Sequence, residues 1–168
     1  NVFVGASTGQ DSLNTAGSIV LVGYRAGRTN RGAANTFLGA EAGADNTTGQ
    51  LNVFTGWLAG GVNTTGSANV FLGYFAGDSN ESGGANTLIG AQADVGAPDL
   101  TYATAIGAGS VAHASETIVL GRDQGQDAVH IWGVLRVGLE GSGSLDVCRI
   151  GYIRLVTCSS CLRYKSDD

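Results

Sequence analysis

A parallel β-solenoid with coils of about 17 residues is the fold class this sequence predicts, and three observations predict it. Glycine supplies 28 of 168 residues while 43% of the chain is hydrophobic, so the glycines punctuate an ordered structure and do not mark a disordered one. Short apolar runs closed by glycine recur along the chain, with closing glycines Gly5, Gly23, Gly39, Gly56, Gly73, Gly90, Gly107 and Gly121. Their spacings are 18, 16, 17, 17, 17, 17 and 14 residues. Self-similarity at a fixed period marks a repeat architecture. This period is too short for a strand, a crossover helix and a returning strand, and it fits one coil.

Each coil opens on a strand, as in Asn35-Thr-Phe-Leu-Gly39, Asn52-Val-Phe-Thr-Gly56, Asn69-Val-Phe-Leu-Gly73 and Asn86-Thr-Leu-Ile-Gly90. In most coils a second glycine follows four residues after the first (Gly9, Gly27, Gly43, Gly60, Gly77, Gly125), often preceded by alanine. A polar turn then closes the unit, as in Asn46-Thr-Thr-Gly49, Asn63-Thr-Thr-Gly66 and Asn80-Glu-Ser-Gly83. Asparagine and glycine tolerate the positive φ that such turns need.

Stacking the units aligns columns. The third strand position reads Phe3, Leu21, Phe37, Phe54, Phe71 and Leu88, the expected coil core. The first reads Asn35, Asn52, Asn69 and Asn86, a ladder whose amides can bond along the stack. The fourth is also mostly apolar, with Val4, Val22, Leu38, Leu72 and Ile89. Successive strand residues face opposite sides, so both faces of this strand are apolar. One fills the coil. The other needs a partner that a thin coil lacks, which predicts self-association. A two-sheet sandwich would also cover both faces, but its strands do not repeat at fixed spacing. A helical reading fails, because each interior glycine costs a helix about 1 kcal/mol.

Near Tyr102 the period shortens, and 96–102 reads as a loop at the change. The expected organisation is a solenoid over 1–125, a strand and hairpin region over 126–157, and a terminal remnant over 158–168. Within the second part, His130 to Gly138 reads as one extended strand. Leu145 to Arg149 and Tyr152 to Val156 read as two more, beyond a turn at 141–144.

Net charge is −5, and five of nine basic residues (Arg136, Arg149, Arg154, Arg163, Lys165) lie in the last 33 positions. The acidic body argues against a nucleic-acid partner, which needs clustered Lys and Arg. No apolar run is long enough for a membrane-spanning helix, and no signal peptide is visible. The start at Asn1, inside a repeat, suggests a fragment or processed form. No cofactor or metal motif stands out, and the calcium-binding glycine–aspartate nonapeptide is absent.

The unit around Thr104-Ala-Ile-Gly-Ala-Gly-Ser-Val-Ala112 resembles the head repeats of trimeric autotransporter adhesins. The 17-residue units resemble the longer form of that roll in bacterial and phage fibre proteins. The resemblance covers residues 1 to about 125. It implies a left-handed β-roll in a homotrimer whose chains share a buried seam, and an extracellular, cell-surface or virion-surface setting. It names no ligand. Separately, Cys148-Arg149 and Cys158-Ser-Ser-Cys-Leu-Arg-Tyr-Lys165 resemble the junction to the intramolecular chaperone of phage tail spikes. There the chain cuts itself before a serine, with a lysine five positions on, which implies an autoprocessing role for Ser160 and Lys165. Cys161 departs from that pattern, and without the chaperone no cleavage is expected. The plain alternative is an exposed polar tail.

A hairpin could bring Cys148 and Cys158 into a disulfide worth roughly 2–3 kcal/mol, which fits an oxidising setting. Free thiols and a zinc site on Cys158-x-x-Cys161 are the alternatives, the latter lacking two further ligands. Cys161 would be left over, available for an interchain bond. His113 and His130 have no ligand-like neighbours in sequence and read as structural. Asp45, Asp78, Glu81, Asp94 and Asp99 fall in or near loops and read as solvated surface, with a glycosidase-type carboxylate pair as the alternative. Asn46, Asn63 and Asn80 match the glycosylation tripeptide and serve equally as turn residues.

Tyr24, Trp57 and Tyr74 share a column with Ala40 and Ala91. It is either packing at the seam or a stripe that binds sugar or another surface. The reading is a structural subunit of an extracellular trimeric fibre or adhesin, not an enzyme, whose partners are itself and a surface polysaccharide or receptor. The alternative is a phage-type spike with polysaccharide-binding or depolymerase activity. An ice-binding reading fails because Val53 and Val70 interrupt the Thr36 and Thr87 column.

Overall fold

The computed structural model describes residues 1–12, 17–122 and 127–130, together with the backbone of 147–150 and 152–155. The chain divides into two units, Asn1–Val129 and His130–Asp168.

The first unit is a β-solenoid. Its strands are β1 (Val2–Val4), β2 (Val20–Val22), β3 (Thr36–Leu38), β4 (Val53–Thr55), β5 (Val70–Leu72), β6 (Thr87–Ile89), β7 (Asp94–Val95), β8 (Thr104–Ile106), β9 (Val111–Ala112) and β10 (Ile118–Leu120). Eight of them form one parallel sheet in the order β1-β2-β3-β4-β5-β6-β8-β10, so the stack makes about seven turns. The register is that of the glycine spacing: Phe3 opposite Leu21, then Phe37, Phe54, Phe71, Leu88, Ala105 and Val119. In the last two coils β7 pairs with β9 to make a second small parallel sheet.

The column at the third strand position is the core. Leu21, Phe37, Phe54, Phe71 and Leu88 are completely buried, while Phe3 on the end rung stays partly open. The rings of Phe37 and Phe54 stack at 4.9 Å with planes 5° apart, and those of Phe54 and Phe71 at 4.7 Å and 11°. Rungs spaced at about 4.8 Å place identical aromatic residues at stacking distance without any adjustment.

The second glycine of each coil makes room for this column. Gly60 has φ +58°, and a Cβ there would sit 2.5 Å from Cε2 of Phe54. Gly43 and Gly77 lie against Phe37 and Phe71 in the same way. The alanines before these glycines, Ala26, Ala42, Ala59 and Ala76, are fully buried in the same core.

The asparagine ladder forms, but by a different bond from amide-to-amide pairing. Oδ1 of Asn35 accepts the backbone N–H of Asn52 at 2.9 Å, and Asn52 to Asn69 and Asn69 to Asn86 repeat it at 2.9 Å. Nδ2 of Asn35, Asn52 and Asn69 donates to the carbonyls of Gly49, Gly66 and Gly83, each at 2.8 Å. Each asparagine thus ties the turn that closes its own coil to the strand start of the next.

Side-chain amides do pair with one another in a second ladder, that of the turn asparagines. Asn63 donates to Oδ1 of Asn46 at 2.8 Å, and Asn80 to Oδ1 of Asn63 at 2.9 Å. Asn46, Asn63 and Asn80 are completely buried, so in the folded chain these side chains are closed to a glycosylating enzyme. Among the described residues no buried side-chain nitrogen or oxygen lacks a hydrogen bond.

In the second unit, β11 (Val147–Ile150) and β12 (Tyr152–Leu155) form an antiparallel hairpin. It coincides with the two runs read as strands at 145–149 and 152–156. Cys148 stands opposite Arg154 in this register, while Cys158, its expected disulfide partner, lies outside the described residues. The expected strand at 130–138 also lies outside them, apart from its first residue.

Candidate functional site

An extensive exposed feature of the solenoid is the outward face of its eight-stranded sheet. Because the third strand position points inward, the second and fourth both point out. Val2, Val20, Val53, Val70 and Ile118 are exposed at the second position, and Val4, Leu38, Leu72, Ile106 and Leu120 at the fourth. Leu38 and Leu72 each keep 47% of their surface open. Ile89, in the same column, is half-buried. Of the residues expected at the core or the seam, Phe37, Phe54, Phe71 and Leu88 are therefore core, and Leu38 and Leu72 lie on the open face.

Two columns flank this face. At the strand ends, after the closing glycines from Gly23 to Gly107, stand Tyr24, Ala40, Trp57, Tyr74, Ala91 and Ala108. Trp57 and Tyr74 are about half exposed, with ring centroids 5.3 Å apart, and Phe75 packs against both at 5.6 and 4.6 Å. Arg25 lies over the ring of Tyr24 at 5.0 Å, a cation–π contact. At the strand starts stand Ala34, Leu51, Ala68, Ala85, Tyr102 and Glu116, all with φ between +56° and +60°. The backbone N–H groups of Leu51, Ala68, Ala85 and Tyr102 bond to Ala33, Gln50, Ser67 and Gly84 of the preceding coil, which offsets the strain of that conformation. Leu51 and Tyr102 project from this column with 62% and 65% exposure. Between them the small Ala68 and Ala85, with Ser67, Gly84, Thr101 and Tyr102, line an open notch of about 260 Å³.

Charged groups are scattered. Arg28 pairs with Asp45 across neighbouring coils at 2.6 Å, and Arg122 grips Asp127 through Nη2 at 2.9 Å and its own backbone N–H at 2.7 Å. Those bonds hold the Asp127 carboxyl at about 2. Asp78 is pushed up from its ordinary value, first by partial burial and then by the charge of Asp94. Asp94 accepts hydrogen bonds from the backbone N–H groups of Ser79 and Val95. Of the acidic residues noted in the sequence, Asp78 and Asp94 are thus brought into electrostatic contact.

Among the described residues no three His, Cys, Asp or Glu side chains gather as a metal site would require, and no helix is long and apolar enough to cross a membrane. Ser160 and Lys165, the expected autoprocessing pair, lie outside the described residues. No protein-family profile matches the chain, nor does any curated protein or solved structure match it significantly.

Sequence reasoning missed the notch and the buried status of the turn asparagines. A signal for the second existed: Asn46, Asn63 and Asn80 recur at the same 17-residue spacing as the strand asparagines.

Proposed function

We propose that the chain is a structural subunit of an extracellular homotrimeric fibre or adhesin, giving reach and surface attachment, with a left-handed coil. The observation that carries this reading is the outward sheet face. Valine, leucine and isoleucine recur there over eight rungs, with nothing among the described residues of the solenoid unit to cover them. Such an apolar strip, interrupted at Thr36, Thr55, Thr87 and Thr104, exceeds what isolated surface residues provide and calls for a partner. Its regular rise along the stack suits a partner with the same rise, namely another copy. Glycine corners, stacked rings and two amide ladders make each coil support the next, so length follows copy number, as a fibre requires. Attachment would be to a surface polysaccharide or receptor.

Sedimentation equilibrium of the purified chain, with and without reductant, tests this. The expected mass is three times 17.0 kDa, and a Leu38→Lys/Leu72→Lys variant with unchanged circular dichroism is expected to run as a monomer. A soluble, stable monomer of the unaltered chain would sink the reading.

A second reading, a phage-type spike acting on polysaccharide, draws support from the neighbouring Asp78 and Asp94. Glycoside cleavage uses a pair of carboxyl groups, and these two are in electrostatic contact. Release of reducing ends from capsular or lipopolysaccharide glycans, lost in Asp78→Asn and Asp94→Asn, would favour it over the fibre reading.

A further inference from the structure

We propose that neighbouring copies interlock edge to edge, with Tyr74 of one copy seated in the Ala68–Ala85 notch of the next and Tyr102 of that second copy seated over Ala91 and Ala108 of the first. This rests on the homotrimer reading and adds the residues that set its register.

The two flanking columns sit at opposite ends of the strands. Ala68 and Tyr74 bracket β5 and are six residues apart, about 20 Å along an extended strand. Within one chain they cannot touch. In a closed ring of copies around an axis parallel to the stack, the strand-end edge of each copy meets the strand-start edge of its neighbour, a head-to-tail contact that closes on itself. A pure rotation leaves every rung at its own height. One turn raises the chain by one rung, about 4.8 Å; with that rise spread along the turn, a strand-end residue arrives between the strand-start residue of its own rung and that of the next.

Side-chain sizes follow this staggering. Tyr74 falls between Ala68 and Ala85, at the notch of about 260 Å³. Tyr102 falls between Ala91 and Ala108, small residues on the opposite edge. Leu51 falls between Ala40 and Trp57 and so lies against the indole. Three of the largest exposed apolar side chains, Trp57, Tyr74 and Tyr102, each meet a complement with no change of rung height. The same contact continues the apolar outer face of the sheet, so it adds to the strip described above and does not compete with it.

A size swap tests the interlock. Ala85→Trp fills the notch, and the fold can carry it: Leu51 and Tyr102 already hold large side chains in this column at φ +59° and +56°, against +57° for Ala85. Sedimentation is expected to show association weakened at least about tenfold, with Tyr74→Ala/Ala85→Trp recovering most of the loss. If Ala85→Trp leaves the trimer as tight as before, or if Tyr74→Ala gives no recovery, the interlock is wrong while the trimer stands. A monomeric parent chain would remove both. Binding of a soluble glycan at the notch with the mass unaffected by Ala85→Trp also overturns it. Should Ala85→Trp disturb folding, the pair Tyr74→Cys/Ala85→Cys is introduced with Cys148, Cys158 and Cys161 changed to serine. A disulfide requires Cα atoms within about 7 Å, so these two can bridge only between copies. The expected result is a reductant-sensitive ladder ending at three chains, and its absence overturns the proposal.

Discussion

At the scale of single residues, the solenoid is specified by what its glycines leave out. Gly60 is held in the left-handed region with the Phe54 ring where its Cβ would be. Gly60→Ala is therefore expected to cost roughly 2 kcal/mol from strain and overpacking together, read as a lower urea midpoint. The ladder asparagines are specific in another way. Oδ1 of Asn69 accepts a backbone N–H from Asn86 while Nδ2 donates to the Gly83 carbonyl, so the site needs one acceptor and one donor. Asn69→Asp keeps the acceptor but sets a buried carboxylate oxygen against that carbonyl. Protonation would restore a donor, so the folded-state pKa of the new group rises above the unfolded value near about 4. The folded state then binds more protons than the unfolded one, and stability falls as pH climbs through that value. A loss of roughly 3 kcal/mol is expected at pH 7, shrinking toward pH 3.5, in paired urea titrations.

At the scale of elements, the unit of construction is the coil and its register. Removing residues 53–69 joins Asn52 to Val70 and leaves every later residue in its column. That variant is expected to fold, with the parent's circular dichroism and a stack shorter by about 4.8 Å. Removing 54–69 instead places Phe71 one position late and turns it outward, and aggregation is expected on size exclusion. The register was legible because the same glycine ends each strand, and because Phe37, Phe54 and Phe71 repeat without interruption. The strand-start asparagines were legible as a ladder for the same reason, although not the backbone partner of each amide. What escaped was set outside the strands. Nothing in the identity of Leu58 or Phe75 announces a φ of +55° or +53°; that conformation follows from hydrogen bonds to Ala40 and Trp57 of the previous coil. The Ala68–Ala85 notch likewise exists only once Ser67, Gly84, Thr101 and Tyr102 are set around it on the same edge.

At the scale of the whole solenoid unit, stability is a sum over neighbouring rungs, so the ends are weaker than the middle. In β1 all three residues are exposed, whereas β4, β5 and β6 each bury a central aromatic or leucine. Hydrogen exchange is expected to protect amides of Val53–Thr55, Val70–Leu72 and Thr87–Ile89 longest and those of Val2–Val4 and Ile118–Leu120 least. Uniform protection across the rungs would contradict that additive picture.

The ladders that join one rung to the next also decide how the stack answers to tension. Hydrogen bonds between coils run parallel to its long axis, so a lengthwise pull opens them one row at a time and never shears many at once. A single solenoid held by its two ends in an optical trap should lengthen in discrete steps, each freeing about 17 residues and roughly 50 Å of contour. Shock would be absorbed as heat, coil by coil, at low and nearly constant force.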